Sequence, residues 1–412
     1  MRRVIPYAVL LLIVTCLMPA PGRTDCPEYT FVKIADTNTP VPGGNGGTFE
    51  VLKLSDPAVY GLRVVFSGEG GGVKGVFAGD GTMFGSMISE GDPAPGGGTI
   101  DTIYTDYENF AFSGGVLNVI AKPSNGDRGI YSVDATGLSK IVEFGEPAPS
   151  GGTFQNIFFV GRQDANLAFQ ANVFQNGRPE LFAGVFTRIA GVNDVVADST
   201  TEIPASEPTT FSSFSDPDIS GNNVAFYGGY GPLTGVYARI DGTLKKVADI
   251  NDTPPGNVKK FTGLYVPSIS GRKVVFLGLA DHSAIYAGDG GPLTVIVETG
   301  DPAPGYTTFT GFDPNVSADG DDVAFSAGGS GFIGLFVSSG QYGLCRVIDT
   351  NQTLEAKDIT QLFMGRDSYA VGKLGFRVAF SDGSRAIYLA KAKLAAKLPV
   401  GALFILLDES DD

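Results

Sequence analysis

Ser215-Asp216-Pro217-Asp218-Ile219-Ser220-Gly221-Asn222-Asn223-Val224-Ala225-Phe226 carries the pattern that decides the fold. A turn rich in Asp, Pro, Ser, Gly and Asn leads into a short apolar segment that ends in Phe. That segment recurs as Val64-Val65-Phe66, Phe110-Ala111-Phe112, Leu167-Ala168-Phe169, Val274-Val275-Phe276, Val323-Ala324-Phe325 and Val378-Ala379-Phe380. The terminal phenylalanines stand 46 to 57 residues apart. A period of this size marks a chain that copies one small structural unit along its length. A residue type present in every copy is first a structural device. Specific function falls to departures from the repeat and to faces where the copies converge.

Each copy reads as four strands. The first opens at a Thr-Phe-like pair, as in Thr48-Phe49, Thr99-Ile100, Thr153-Phe154, Thr210-Phe211 and Thr308-Phe309. The second is the Phe-ending segment. The third joins a small residue to an aliphatic and an aromatic one, as in Gly75-Val76-Phe77, Gly235-Val236-Tyr237 and Ala386-Ile387-Tyr388, and the fourth is a segment such as Leu244-Lys245-Lys246-Val247. Short β-branched and aromatic runs bounded by turn formers read as strands. Only Leu389 to Leu398, rich in Ala, Lys and Leu, has a helical composition. Seven four-stranded units predict an all-β fold, a seven-bladed β-propeller, with an open β-solenoid as the rival. The N-terminus favours the ring. Thr30-Phe31-Val32-Lys33-Ile34-Ala35-Asp36 matches Thr243-Leu244-Lys245-Lys246-Val247-Ala248-Asp249 position for position. The chain thus opens on a fourth strand with no unit of its own, and the expectation is that this strand completes the seventh blade and closes the ring.

The expected layout is a signal peptide over 1–22, one seven-repeat propeller domain over 23–392 and a C-terminal tail over 393–412. Arg2 and Arg3 precede an apolar stretch from Val4 to Met18, and Ala20-Pro21-Gly22 supplies small residues for cleavage. The apolar run, roughly 15 residues, is shorter than the ~20 that span hydrocarbon, so an exported protein without a transmembrane anchor is expected, extracellular or periplasmic. Net charge is −15 with the leader and −17 without its two arginines. That sign opposes binding to nucleic acid and anionic lipid, and it suits cations or basic partners. Cys16 leaves with the leader, so Cys26 and Cys345 remain, and export permits a disulfide between them. Two buried free thiols are the other reading.

The loop from each fourth strand to the next first strand holds most of the patterned charge. It reads Ser89-Glu90-Gly91-Asp92-Pro93-Ala94-Pro95-Gly96, Glu143-Phe144-Gly145-Glu146-Pro147-Ala148-Pro149, Asp249-Ile250-Asn251-Asp252-Thr253-Pro254-Pro255-Gly256 and Glu298-Thr299-Gly300-Asp301-Pro302-Ala303-Pro304-Gly305, with three looser copies. Here the chain resembles a family of exported bacterial tandem-repeat proteins with Asn-x-x-Gly-x-x-Ala-Phe repeats and Gly-Asp-Pro-Ala-Pro-Gly-Gly-Thr-Phe-like loops. Asp92 to Ile100 and Ile219 to Phe226 carry the resemblance best. It implies export and repeat architecture and brings no activity with it. For the loop acids, turn chemistry weighs more than ligation, since a carboxylate accepts bonds from free N–H groups and Pro and Gly set the dihedrals. The functional alternative places Asp92, Glu146, Asp252 and Asp301 on one face as ligand-binding carboxylates, with Ca²⁺ as the cofactor they would suit.

Signals for catalysis are sparse. His282, the only histidine, sits in a variable loop with no nucleophile elbow or zinc-ligand set around it. There is no Trp, and Tyr104, Tyr107, Tyr227, Tyr230 and Tyr306 are the aromatic residues left to stack on sugars. The leading expectation is a non-enzymatic exported propeller that binds a protein or polysaccharide at the cell surface or serves there structurally. A carbohydrate-active enzyme using paired carboxylates on the loop face is the alternative. The sequence sets neither the ligand nor an oligomeric state.

Overall fold

A computed structural model describes residues 25–50, 53–105, 110–175, 182–205 and 208–393. The expected leader and all but the first residue of the expected tail lie outside them. Among the described residues there is no helix, and seven antiparallel sheets form the ring of a β-propeller. The fourth blade shows the plan. Ser213–Ser220 is its inner strand, followed outward by Asn223–Tyr230, Leu233–Ile240 and Thr243–Asp249. Leu389, expected in a helical stretch, lies instead in the strand Arg385–Ala392. Its neighbours face two packed sheets, and this burial overrides local helix propensity.

Aromatic rings knit each blade. Phe226 of the second strand pairs in register with Tyr237 of the third, with ring centroids 6.0 Å apart and nearly parallel. Phe211, from the Thr-Phe pair, meets the Tyr237 ring edge-on at 4.9 Å and 87°. The same trio recurs as Phe49, Phe66 and Phe77, as Phe154, Phe169 and Phe186, as Phe261, Phe276 and Tyr286, and as Phe309, Phe325 and Phe336. Edge-on contacts match the positive rim of one ring to the negative face of another and contribute about 0.5–1.5 kcal/mol beyond area burial.

Two of the seven expected Phe positions are displaced. In the second blade Val119, not Phe112, stands opposite Tyr131, and Phe110-Ala111-Phe112 belongs to the inner strand. In the seventh blade Phe376, not Phe380, stacks on Tyr388, with centroids 5.8 Å apart. The genuine seventh copy is therefore Leu374-Gly375-Phe376. Its central residue is Gly because a Cβ there would come within 2.6 Å of Val59 in the first blade. The sequence Ser215 to Gly221, read as a turn, is mostly inner strand with a register break between Ser215 and Asp218.

The outer strands share a second device. Each carries a bulge against the third strand at one equivalent position, between Lys246 and Ala248 in the fourth blade and between Lys33 and Ala35 in the seventh. A bulge sets two residues against one and turns consecutive side chains to the same side. Thus Ile34 and Ala35, Val196 and Ala197, and Val247 and Ala248 are all buried despite being adjacent.

The seventh sheet consists of Thr353–Leu354, Lys357–Phe363 with Tyr369–Ala370, then Lys373–Phe380, Arg385–Ala392 and, outermost, the N-terminal strand Tyr29–Asp36. The first and seventh blades pack through Ile387 and Leu389 against Val64 and Phe66. Val59 N–H donates to the Asp367 carbonyl at 2.8 Å, and the Ser368 hydroxyl donates to the Pro57 carbonyl. Cys26 and Cys345 form a disulfide with a Cα–Cα separation of 5.5 Å, joining the segment before the N-terminal strand to the outer strand of the sixth blade.

The disulfide closes a 319-residue separation, for which restriction of the unfolded chain gives at most about 6 kcal/mol. Cys26→Ser is expected to lower the melting temperature by several degrees and to abolish the effect of dithiothreitol on it. Equal melting of the variant and the wild type would remove the bridge from the stability of the ring.

Candidate functional site

The inner strands of five blades depart from regular pairing near their midpoints. The register breaks between Phe158 and Val160, between Ser215 and Asp218, and between Phe312 and Val316. In other blades the strand is split, as between Gly263–Leu264 and Ser268–Ser270 and between Lys357–Phe363 and Tyr369–Ala370. Phe159 and Asp216 take positive φ values of 44° and 49° there. Extra residues at a bulge cannot stay in the ladder, so they turn toward the axis. All seven blades thereby line one axial cavity of about 520 Å³. Proline marks four of these breaks, at Pro57, Pro217, Pro267 and Pro314, and three of the four follow Asp. A proline inside a strand cannot donate to the ladder, so this was the sequence signal for the site.

Two arginines organise the cavity. Arg366 is only 3% exposed, and its Nη1 donates to the Asp216 carbonyl at 2.7 Å, linking the seventh blade to the fourth. Arg377 donates from Nε and Nη2 to Oδ1 of Asp56, at 2.9 and 2.8 Å, across the seam between the seventh and first blades. Its guanidinium also lies 4.1 Å from the Phe363 ring centroid. Asn315 donates to the Met364 carbonyl at 3.2 Å. The walls between are apolar, with Phe110, Phe159 and Tyr265 among them. Around this cavity Asp56 and Arg377 hold each other, Arg366 is held by backbone, and the Asp216 carboxylate accepts the Ser215 hydroxyl.

The acids expected from the sequence lie in four separate loops. Asp92, Asp252 and Asp301 each accept the N–H three residues back, from Ser89, Asp249 and Glu298, at 2.7, 2.9 and 3.0 Å. Thr39, Thr201 and Gln352 do the same with side-chain oxygens in the looser copies. Glu146 faces Lys140 at 3.5 Å. A cation on the outer strand neutralises several loops, with Lys33 at Asp36, Lys140 at Glu143, Lys246 at Asp249 and Asp252, and Arg346 at Asp349. Burial pushes the Asp36 carboxyl up, but bonds from Lys33, Thr39 and the Asn38 N–H outweigh it and hold its pKa below the ordinary value. Among the described residues, no group of three or more His, Cys, Asp or Glu could hold a metal ion.

The remaining candidates scatter. The His282 backbone N–H donates to Asn257 in an exposed loop, away from the cavity. Asp319 accepts the Val371 N–H and Asp322 the Tyr369 hydroxyl, both at 2.7 Å, so the acidic run from Asp319 to Asp322 stitches the sixth blade to the seventh. Tyr306 stacks on Phe332 at 4.0 Å, Tyr230 is exposed, Tyr227 packs between the fourth and fifth blades, and Tyr107 lies outside the described residues.

Residues 28–344 of this chain match a family of unknown function, DUF7453. The chain belongs to that family. No curated protein matches it. Among solved structures, this DUF7453 protein is similar to the β-propeller domain of the Trilobed protease from Pyrococcus furiosus, at 13% identity and a TM-score of 0.48, over 85% of this chain and 100% of that one. It is similar to a prolyl endopeptidase at 13% identity and a TM-score of 0.47, over 82% of this chain and 47% of that one. It is also similar to the polysaccharide lyase Uly1, at 10% identity and a TM-score of 0.45, over 89% and 99%.

Two outcomes test the loop chemistry. Asp301→Ala removes the acceptor for the Glu298 N–H and is expected to cost about 1 kcal/mol in urea unfolding. A Ca²⁺-induced rise in melting temperature that this variant abolishes would make the carboxylate a ligand instead. The lowered Asp36 pKa means its contribution is complete above the unfolded-state value of about 4 and fades as pH falls through the folded value. Stability of Asp36→Asn, measured between pH 2 and 6, should therefore fall less steeply with acid than that of the wild type.

Proposed function

We propose that this is an exported, non-enzymatic propeller that binds a partner at its axial cavity. The supporting observation is the convergence of all seven blades on one pocket in which Asp56 is paired with Arg377 and Arg366 is bonded to the Asp216 carbonyl. A general base needs an open approach to a proton. Asp56, fixed on Arg377, does not offer one. A pocket with apolar aromatic walls and a few fixed polar groups has the usual makeup of a small-ligand or chain-end binding site. Export is supported by the leader-like N-terminus and by the Cys26–Cys345 bridge, which suits an oxidising compartment. The resemblance to exported bacterial repeat proteins agrees with this reading. The partner class is a surface protein or polysaccharide.

Tyr265 lines the cavity and is 38% exposed, so Tyr265→Ala should change stability by no more than about 0.5 kcal/mol. Capture of cell-envelope polysaccharides and proteins on immobilised wild type, but not on this variant, is the expected result. Equal capture by both would move the binding surface off the axis. New reducing ends released from a captured polysaccharide would instead establish catalysis.

A further inference from the structure

Arg128 stands out among the basic residues of this acidic chain. It precedes the strand Gly129–Asp134 and reaches into the seam between the second and third blades. There its guanidinium lies 4.1 Å from the Tyr104 ring centroid and 5.0 Å from that of Phe158. Its Nε is buried and makes no hydrogen bond. Among the described residues no carboxylate forms an ion pair with it. Carboxylates are not scarce, since the chain has 44 acidic residues against 29 basic ones. Lys33, Lys140, Lys246, Arg346 and Arg377 all have acidic partners.

Burial lowers the Arg128 pKa, with the Tyr104 ring the one opposing influence. Keeping a cation partly out of water without an anion is unfavourable, and an arriving anion removes that penalty. Aromatic faces on a guanidinium leave its in-plane N–H fork open to a carboxylate.

The position ties this cation to the axis. Thr105 and Phe159, the residues directly after Tyr104 and Phe158, line the axial cavity. We infer that Arg128 anchors a carboxylate of an acidic sugar chain whose end occupies the axial cavity. An extended acidic peptide fits less well. Strand addition needs an unbroken edge of N–H and C=O groups, and five of the inner strands are broken at the axis. Phe110, Phe159 and Tyr265 give the cavity flat apolar surfaces suited to pyranose faces.

This inference rests on the axial-binding reading, and titration calorimetry separates the two. The probes are oligogalacturonate, a neutral gluco-oligosaccharide of equal length and poly-glutamate of equal charge. Oligogalacturonate is expected to bind the wild type, with affinity falling about 10- to 100-fold in Arg128→Met and less in Arg128→Lys, which keeps the charge and loses the fork. Arg128→Lys also serves if the Met variant does not fold. Absence of oligogalacturonate binding to the wild type overturns the inference, as does equal binding of poly-glutamate. Binding that Tyr265→Ala weakens and both Arg128 variants leave unchanged overturns the anchor while keeping the axial site. Binding unchanged in all three variants overturns both.

Discussion

The stack of aromatic rings inside each blade is the interaction on which the rest of the ring depends. A ring on the second strand lies flat against one on the third, and a third ring from the loop before the inner strand meets the pair edge-on. The loop cannot choose another path without withdrawing that ring. Turn chemistry, blade register and the tilt of the inner strand therefore follow from one contact. Two blades vary it. The second carries Ile100 and Val119, and the seventh carries Ile359 before the Phe376–Tyr388 stack.

Regular pairing is broken on both the outer and the inner strands, with opposite results. The outer-strand bulge serves packing, because it buries two adjacent side chains such as Val247 and Ala248 between sheets. The inner-strand break serves the axis, because it frees residues from the ladder and delivers them to the cavity. A ring of unbroken inner strands would present seven bare edges to its channel and invite pairing with other chains. Breaking them blunts those edges and at the same time builds a pocket from seven unlike contributions. Repetition thus supplies the frame, and the departures at the axis supply the individuality.

Much of the fold was legible because repetition exposes structural devices. The period, the four strands and the orphan fourth strand at Tyr29–Asp36 could all be read from residue pattern. The match of Thr30–Asp36 with Thr243–Asp249 extends to a bulge at the same place in both strands. Residue pattern alone does not decide the Cys26–Cys345 bridge, since pairing depends on where the sixth and seventh blades meet. Phe112 and Phe380 misled because short apolar runs ending in Phe occur on neighbouring strands, and Gly375 hid the true seventh copy. The axial site was not legible. Phe159, Asp216 and Arg366 share no residue type, and only the prolines at the breaks hinted at it. The acidic loops drew attention through their regularity, yet regularity is what a turn requires.

The account depends on a seventh sheet whose outer strand comes from the other end of the chain. Amide hydrogen exchange read by mass spectrometry tests this directly, because slow exchange requires cooperative opening of the paired strands. Amides of Tyr29–Asp36 that pair with Arg385–Ala392 should exchange as slowly as that strand does. Exchange of Tyr29–Asp36 at the rate of an unstructured segment, with Arg385–Ala392 still protected, would contradict it.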